Sequence, residues 1–273
     1  MAVDPRAIRD HEAALVCVGV GKTWDAGTSR ATLALTDIDL EVAPGELVVF
    51  LGPSGCGKST LLHLIAGLEQ ATAGEMRSYG EPIIAPSPER SLIFQDTSLF
   101  PWLAVWQNVT FGLALKGIGK DERRLVAQEI LATVGLRDAA DKLPHELSGG
   151  MRQRVAVARA LAMRPKMLLM DEPFAALDVQ TRAKMQGFLV DVWRESAASV
   201  LFVTHHIDEA VALADRVLVL TARPGRIKAT IPVDLPRPRD PFDPCCQDLR
   251  KELTELLAEE VDRAFAEQEG IAV

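Results

Sequence analysis

Hydrophobic residues along this chain form short continuous runs that alternate with segments of helical spacing. The run Leu47–Leu51 is typical of a strand buried on both faces. The segment from Thr60 to Gly67 carries apolar residues at helical spacing and ends at a glycine. Further strands are predicted at Ser91–Gln95, Lys166–Asp171, Val200–Thr204 and Arg216–Leu220, with helical patterns between most of them. This alternation predicts an α/β fold with a mainly parallel core sheet.

Two segments depart from the alternating pattern. The first 45 residues, with candidate strands at Ala14–Val20 and Leu35–Val42, predict an N-terminal antiparallel β subdomain. From Asp96 to about Arg164 the pattern is helical, at Lys120–Val134 and Gly150–Ala162. We expect this segment, residues 96–164, to be a helical subdomain inserted into the α/β core.

The tail, residues 226–273, contains a Pro/Arg-rich stretch followed by a predicted helix, Gln247–Glu267. Its apolar residues fall on one face, which favours a helix that packs on its own domain over a device that binds a partner. These residues are Leu249, Leu253, Leu256, Leu257, Val261, Ala264 and Phe265.

Composition narrows the function classes. Of the 273 residues 48% are hydrophobic, which allows a substantial core, and 38 acidic against 30 basic residues give a net charge of −8. That balance argues weakly against a nucleic-acid partner, and none is expected. The first ten residues lack the apolar region of a secretory signal, and no apolar run approaches the ~18–20 residues that span a bilayer. A role at a membrane would therefore be exercised through a partner.

A glycine-rich loop lies between the first core strand and the following helix and reads G-P-S-G-C-G-K-S-T. Its spacing, G-x-x-x-x-G-K-S, is that of a phosphate-binding loop in the strand–loop–helix context that this motif requires. The glycines let backbone N–H groups point at phosphates, Lys58 supplies a positive charge, and Ser59 is a candidate Mg²⁺ ligand. The loop comprises Gly52, Pro53, Ser54, Gly55, Cys56, Gly57, Lys58, Ser59 and Thr60.

Polar residues end three of the other predicted strands. Asp171 and Glu172 follow an apolar run; the aspartate fits a residue that orients Mg²⁺, and the glutamate fits a general base for an attacking water. His205 follows another strand, where a histidine can hydrogen-bond the γ-phosphate and the water. Gln95 ends a third run and is a candidate contact for Mg²⁺ or the water.

In this order the motifs resemble those of the ATP-binding-cassette (ABC) ATPases over about residues 14–225. The resemblance implies a P-loop NTPase cassette with an inserted helical signature subdomain, with ATP and Mg²⁺ as cofactors and ATP hydrolysis as the reaction. The matching motifs are the Walker A loop at Gly52–Ser59, the Q-loop Gln95, the signature Leu147–Gln153, Walker B at Leu168–Asp171 with catalytic Glu172, the D-loop Ala176–Asp178 and the switch His205.

The family resemblance also implies a head-to-tail dimer. Each ATP would lie between Lys58 of one subunit and Ser148, Gly149 and Gly150 of the other, with Asp178 nearby. Ser148 is a good N-cap, and a helix that starts with glycines exposes N–H groups to an anion. Trp24 is the residue best placed to stack on adenine, with a core tryptophan as the alternative.

A narrower resemblance connects the chain to the nitrate/sulfonate/taurine importers, through Leu99–Leu103, Leu143–Arg154, Leu220–Ile227 and Asp234–Asp240. It implies an ATPase subunit of a bacterial importer, peripheral on the cytoplasmic face of the inner membrane. Two integral membrane permease subunits and an extracytoplasmic solute-binding protein would complete the assembly. Phe100 and Trp102 are candidate permease contacts.

Three alternatives stand beside this interpretation. A soluble ABC-family ATPase acting on a non-transport partner, such as a ribosome or DNA, usually carries two cassettes or a long coiled coil. A small-molecule kinase would leave the Leu147–Gln153 signature unexplained. An exporter commonly fuses its cassette to membrane spans.

Overall fold

The computed structural model describes residues 13–175 and 177–269, with side chains described up to Phe265. The chain divides into two compact units: the first holds the residues up to Pro86 and those from Val203 onward, and the second holds Ser87–Phe202. The first ten residues and Ala176 of the D-loop lie outside the described residues. The domain limits expected from the sequence stay a prediction.

Strands and helices alternate along most of the described chain. In chain order they are β1 (Leu15–Trp24), β2 (Thr32–Val42), β3 (Leu47–Leu51), α1 (Lys58–Ala66), β4 (Ala73–Ser78), β5 (Glu81–Pro82), β6 (Arg90–Ile93), α2 (Val105–Val109), α3 (Phe111–Leu115), α4 (Lys120–Thr133), α5 (Gly149–Leu161), β7 (Met167–Asp171), α6 (Val179–Ser196), β8 (Ser199–Thr204), α7 (Ile207–Leu213), β9 (Arg216–Leu220), β10 (Ile227–Pro232) and α8 (Pro244–Glu269).

An antiparallel sheet in the first unit has the order β2-β1-β4-β5. Its central strand β1 pairs with β2, where Leu15 lies opposite Val42, and with β4, where Val16 lies opposite Arg77. The predicted antiparallel β subdomain is thereby confirmed. Both β1 and β2 run further than the sequence predicts, because register shifts between Cys17 and Thr23 interrupt the alternation of apolar and polar residues.

The first unit also contains β3, β9 and β10. Strand β3 is buried along all five residues and runs parallel to β9, with Val48 opposite Arg216. Strand β10 returns antiparallel to β9. The sequence pattern missed β10, because its residues are half-buried or exposed and offer no continuous apolar run. Strand β3 leads directly into the glycine-rich loop and α1, as predicted.

In the second unit β6 runs parallel to β7, with Arg90 opposite Met167. Between them the described chain is helical, from α2 to α5, and contains no strand. The helices enclose a core of their own that includes Val105, Val109, Leu131 and Val155. Strand β8 then carries the chain from the second unit back to the first. The α/β class, with an antiparallel sheet, a mixed and mostly parallel sheet and an inserted helical segment, is confirmed.

Helix α8 of the tail has a narrower buried face than its apolar pattern suggests. Leu249, Leu253 and Leu257 are buried, but Val261 and Phe265 are 50% and 60% exposed. The carboxylate Glu260 is buried in their place. The apolar stripe therefore marks the packed face only along the first half of the helix.

Candidate functional site

The glycine-rich loop between β3 and α1 is held by its own lysine. Lys58 is 4% exposed and donates from Nζ to the carbonyl oxygens of Gly52 (2.9 Å) and Pro53 (2.8 Å). Gly57, which caps α1, has φ 101°, and a Cβ on it would lie 2.7 Å from Leu35 Cδ2. Backbone conformation and space both require glycine there. The loop thus carries a buried positive charge directly beneath its backbone.

A second segment contacts this loop. It comprises residues 221–226, between β9 and β10, and we call it the support segment. Arg223 Nη2 donates to the carbonyl oxygen of Gly55 (3.3 Å). Gly225 N–H donates to the carbonyl oxygen of Ala34 (2.9 Å), and a Cβ on Gly225 would lie 2.1 Å from Cys56 O. Sequence reasoning missed this role, although Pro224-Gly225 is a turn signal.

Cys56 lies inside the phosphate loop as a buried thiol. Its Sγ is 3.9 Å from Lys58 Nζ. Burial raises the pKa of the Cys56 thiol, and the nearby Lys58 charge and hydrogen bonds offset that rise in part. The thiol is therefore uncharged at neutral pH and adds no negative charge to a site meant for phosphates.

Trp24, at the end of β1, is half-buried. Lys22 Nζ lies 4.4 Å from the Trp24 ring centroid and also pairs with Glu69 Oε2 at 3.0 Å. The cation fixes the position of the ring while part of the ring stays accessible. This surface suits stacking on a flat base, and the interpretation of Trp24 as a fully buried core residue does not fit its exposure.

His205 follows β8 in the first unit and is exposed. The turn that carries it is fixed by Thr204, whose Oγ1 donates to the buried Glu209 Oε2 (2.5 Å) and accepts from His206 N (3.0 Å). Ser59 and Thr60, in the first turn of α1, are exposed and half-buried. The first unit thus carries the phosphate loop, Trp24 and the predicted switch histidine.

The two acids of the second unit lie at the end of β7. Asp171 is buried, and Glu172, which is half-buried, has φ 44°. Adjacent residues of a strand point to opposite faces, but the chain leaves the extended conformation at Glu172. The backbone conformation at Glu172 therefore allows two consecutive carboxylates to serve one site. Gln95, two residues beyond β6, is exposed.

The signature segment starts α5 as predicted. Ser148 is its N-cap, with Oγ accepting from Met151 N (3.3 Å). Ser148 and Gly149 are exposed, Gly150 is half-buried, and a Cβ on Gly149 would meet nothing within 4 Å. The positive end of a 13-residue helix is thus open at this surface.

Asp178 has a structural task in this chain. It caps α6, and its Oδ1 accepts from Thr181 N (3.0 Å) and Gln180 N (3.1 Å). The hydrogen bond from Thr181 is the main reason that the pKa of Asp178 lies below its ordinary value. The carboxylate is therefore ionised and its orientation is set by the helix.

The loop after Gln95 presents one aromatic residue to solvent. Trp102 is 72% exposed, whereas Phe100 is half-buried with its ring 4.4 Å from that of Phe111. Asn108 holds Phe100 through Oδ1, which accepts from Phe100 N (2.8 Å). Of the two candidate permease contacts, Trp102 thus offers an open surface and Phe100 mainly packs within its own unit.

The predicted metal ligands carry oxygen donor atoms. Residues 13–175 and 177–269 contain no group of three or more His, Cys, Asp or Glu that could hold a metal ion. Ser59, Asp171 and Gln95 offer hydroxyl, carboxylate and amide oxygens, which suit Mg²⁺ bound together with phosphates. Within the same ranges no helix is long and apolar enough to cross a membrane.

Comparison with known proteins gives a consistent result. A family model described as ABC transporter matches residues 35–175. A putative ATP-binding protein of Brucella abortus is 54% identical over 76% of this chain and 80% of its own length. A nitrate import ATP-binding protein of Synechocystis sp. is 48% identical over 77% of this chain and 79% of its own.

Solved structures agree with the sequence comparison. A dimeric ATP-binding cassette in a post-hydrolysis state, bound to ADP and Pi, aligns with a TM-score of 0.71 and 32% identity. The alignment covers 80% of this chain and 98% of that chain. The fold, the motifs and these similarities lead to one assignment: the chain belongs to the ABC transporter family, the ATP-binding-cassette ATPases.

Proposed function

We propose that this protein is the ATP-hydrolysing subunit of a bacterial ABC importer. The nitrate import relative supports the importer role. The phosphate loop and the open N-terminus of α5 support the mechanism, since each is an anion-binding device of a different kind. The following roles are assigned to residues on the basis of the family motifs and the geometry described above.

Lys58 and the loop backbone hold the β- and γ-phosphates of ATP. The ammonium of Lys58 now bonds to Gly52 and Pro53 carbonyls, and a γ-phosphate offers it a charged acceptor in exchange. Trp24 stacks on the adenine. Glu172 accepts a proton from the attacking water, and His205 hydrogen-bonds the γ-phosphate and keeps that water in line.

Mg²⁺ fits the ligands that the chain provides. Ser59, Asp171 and Gln95 would hold the ion through their hydroxyl, carboxylate and amide oxygens. When bound, the ion neutralises charge on the β- and γ-phosphate oxygens. A hard cation with phosphate oxygens in its shell needs few protein ligands, in agreement with the absence of a larger acidic or histidine cluster among the described residues.

A second copy of the chain completes each site. Ser148, Gly149 and Gly150 of one copy face the γ-phosphate bound by Lys58 of the other, with Asp178 at the same interface. ATP bridges the two copies and hydrolysis removes the bridge, so the nucleotide shifts an equilibrium between open and closed dimers. The exposure of Ser148 and Gly149 supports this arrangement.

Closure of the dimer is coupled to two membrane permease subunits. The aromatic loop after Gln95 supports such coupling, because Trp102 is exposed on the segment that follows this candidate contact for Mg²⁺ or the water. An extracytoplasmic solute-binding protein delivers the solute, and the ATPase lies peripherally on the cytoplasmic face of the inner membrane. A small anion or zwitterion of the nitrate, sulfonate or taurine kind is the expected solute.

The observation that carries this proposal is the exposed N-terminus of α5 at Ser148, which can bind an anion that a second subunit brings to it. Uptake of labelled nitrate and taurine tests the function, in cells that lack this chain and are complemented with wild type or Lys58→Ala. Wild type restores uptake of one of them and Lys58→Ala does not. If wild type restores uptake of neither nitrate nor taurine, while the purified chain retains ATPase activity, a non-transport partner is favoured.

A further inference from the structure

A buried carboxylate on the tail helix has no place in the reaction described above. Glu260 of α8 is 2% exposed. Its Oε2 accepts from Ala222 N (2.8 Å), its Oε1 lies 2.9 Å from Lys228 Nζ, and Arg263 Nη1 lies 3.5 Å from Oε2. The neighbouring Glu259 also reaches Lys228 Nζ, at 3.1 Å, but is 76% exposed.

Ala222, whose N–H donates to Glu260, belongs to the support segment. Ala222 is buried and precedes Arg223, whose guanidinium holds the Gly55 carbonyl. Three residues further on, Gly225 lies against the Cys56 carbonyl oxygen and bonds to β2. All of these residues are in the first unit. One hydrogen bond thus joins α8 to the segment on which the phosphate loop rests.

Loss of this hydrogen bond should destabilise the support segment. The Ala222 N–H is buried, and without Glu260 it would lack that acceptor, which is costly for a backbone donor. Thr221 and Arg226 close the segment on itself, through Thr221 N to Arg226 O (3.0 Å) and Arg226 N to Thr221 Oγ1 (2.9 Å). A shift at Ala222 is therefore passed along a closed turn to Arg223 and Gly225.

We infer that Glu260 is a positioning residue of the nucleotide site: through Ala222 it fixes the support segment and, with it, the geometry of the phosphate loop. The tail helix is in this way part of the nucleotide-binding machinery. The inference rests on nucleotide binding by this chain and is independent of the importer role and of dimer closure.

Equilibrium binding of Mg-ADP to the purified full chain tests it, by calorimetry on four proteins. Glu260→Ala loses the acceptor, and its Kd is expected to rise about three- to tenfold, as for the loss of one buried hydrogen bond. Glu260→Gln keeps an oxygen acceptor for Ala222 N–H and should stay within about twofold of wild type. Glu259→Gln, the matched control, removes the same charge beside the same Lys228 and should bind ADP as wild type does.

A double-mutant cycle with Arg223→Ala separates positioning from a general structural role. If Glu260 acts through the support segment, Glu260→Ala weakens ADP binding less in the Arg223→Ala background than in wild type. A lower melting temperature for Glu260→Ala with unchanged Kd, or full additivity in the cycle, overturns the inference. Should Glu260→Ala not fold, Glu260→Asp takes its place in the cycle with the same expected direction. A wild-type chain that binds no ADP would refute the nucleotide site itself.

Discussion

At the scale of single residues, the phosphate loop depends on close contacts that its own motif does not contain. Gly225 has no unusual φ, yet its α-carbon lies so near the Cys56 carbonyl that a methyl group would come to 2.1 Å from the oxygen. The neighbour is backbone, which cannot rotate away. Either the phosphate loop or the support segment must shift, and either change alters where the loop N–H groups point.

Gly225→Ala should therefore weaken Mg-ADP binding and lower the free energy of unfolding by about 1–3 kcal/mol, as overpacking of a tight site does. Calorimetry and urea unfolding measure the two effects. Gly187→Ala is the control, because Gly187 lies within α6 and a Cβ there would meet nothing within 4 Å. That change should be neutral or stabilise by up to about 1 kcal/mol. Equal behaviour of the two variants would contradict the support role of Gly225.

Glu172 is the residue on which the hydrolytic step is proposed to depend. Glu172→Gln keeps the size of the side chain and removes the base, so steady-state ATP turnover should fall about 100-fold or more while ATP affinity stays near that of wild type. Glu195→Gln, an exposed acid in the same unit, serves as the control. Turnover of Glu172→Gln close to wild type would remove Glu172 from its role.

At the scale of elements, those whose structure depends on adjacent residues could be predicted, and those that depend on contacts with distant residues could not. Strand β3, the loop and α1 were predictable, because a buried apolar run and a glycine motif adjoin in sequence. The bounds of α4 and α5 were also close to those expected, since each has its own apolar stripe. Strand β10 was not, because it is held by pairing with β9 and has no apolar run of its own. The support segment was not, because its position depends on contacts of Gly225 with β2 and with Cys56. Periodicity cannot show that Glu260 replaces an apolar residue on the buried face of α8.

The stability that α8 adds should depend on pH through Glu260. Burial alone would raise the pKa of the Glu260 carboxyl, but hydrogen bonds from Lys228 and Ala222 outweigh it and hold the pKa below its ordinary value of 4.5. The stabilisation is thus present above pH 4.5 and is lost as the pH falls through the lower pKa of the folded state. The free energy of unfolding of wild type should exceed that of Glu260→Gln by about 1–3 kcal/mol at pH 7, as for a charged hydrogen bond.

Urea unfolding at pH 7 and at successive values below 4.5 measures this dependence. The difference between wild type and Glu260→Gln should shrink as the pH is lowered below 4.5, because a protonated glutamate resembles glutamine. Glu259→Gln, at an exposed position, should differ little from wild type at every pH. A difference that grows on acidification would mean that folding raises the pKa of the Glu260 carboxyl instead of lowering it.

The N-terminus of α5 is the element through which one subunit is proposed to reach the nucleotide of another. Ser148→Arg places a long charged side chain at an exposed helix start without disturbing the core of its unit. The variant should bind ATP as a monomer with wild-type affinity and lose most of its ATPase activity. Thr133→Arg, which adds the same group at an exposed position on α4, is the control. Full hydrolysis by Ser148→Arg would contradict a site shared between two copies.

At the scale of the whole molecule, the predicted site residues are divided between the two units. The first unit holds Lys58, Trp24 and His205, and the second holds Gln95, the two acids and the signature. Sequence order could predict each motif, since each is local. It could not predict how strongly nucleotide holds two copies of the chain together, because that free energy depends on charges of different subunits. Dimerisation under nucleotide is the property that measures this.

Glu172→Gln should be monomeric without nucleotide and form dimers with Mg-ATP, because ATP then bridges two copies and is not consumed. Multi-angle light scattering reports the change in mass directly. Three comparisons isolate the cause. Mg-ADP lacks the γ-phosphate and should leave monomers. In the Glu172→Gln background, Lys58→Ala should prevent dimerisation because the phosphate loop is impaired, and Ser148→Arg should prevent it because the signature is blocked, while ATP still binds. If Glu172→Gln binds Mg-ATP tightly and still stays monomeric, two copies of this chain do not close on ATP alone. Co-purification of Glu172→Gln with a polytopic membrane protein in Mg-ATP would then assign closure to the complete assembly, and failure there as well would refute the shared site.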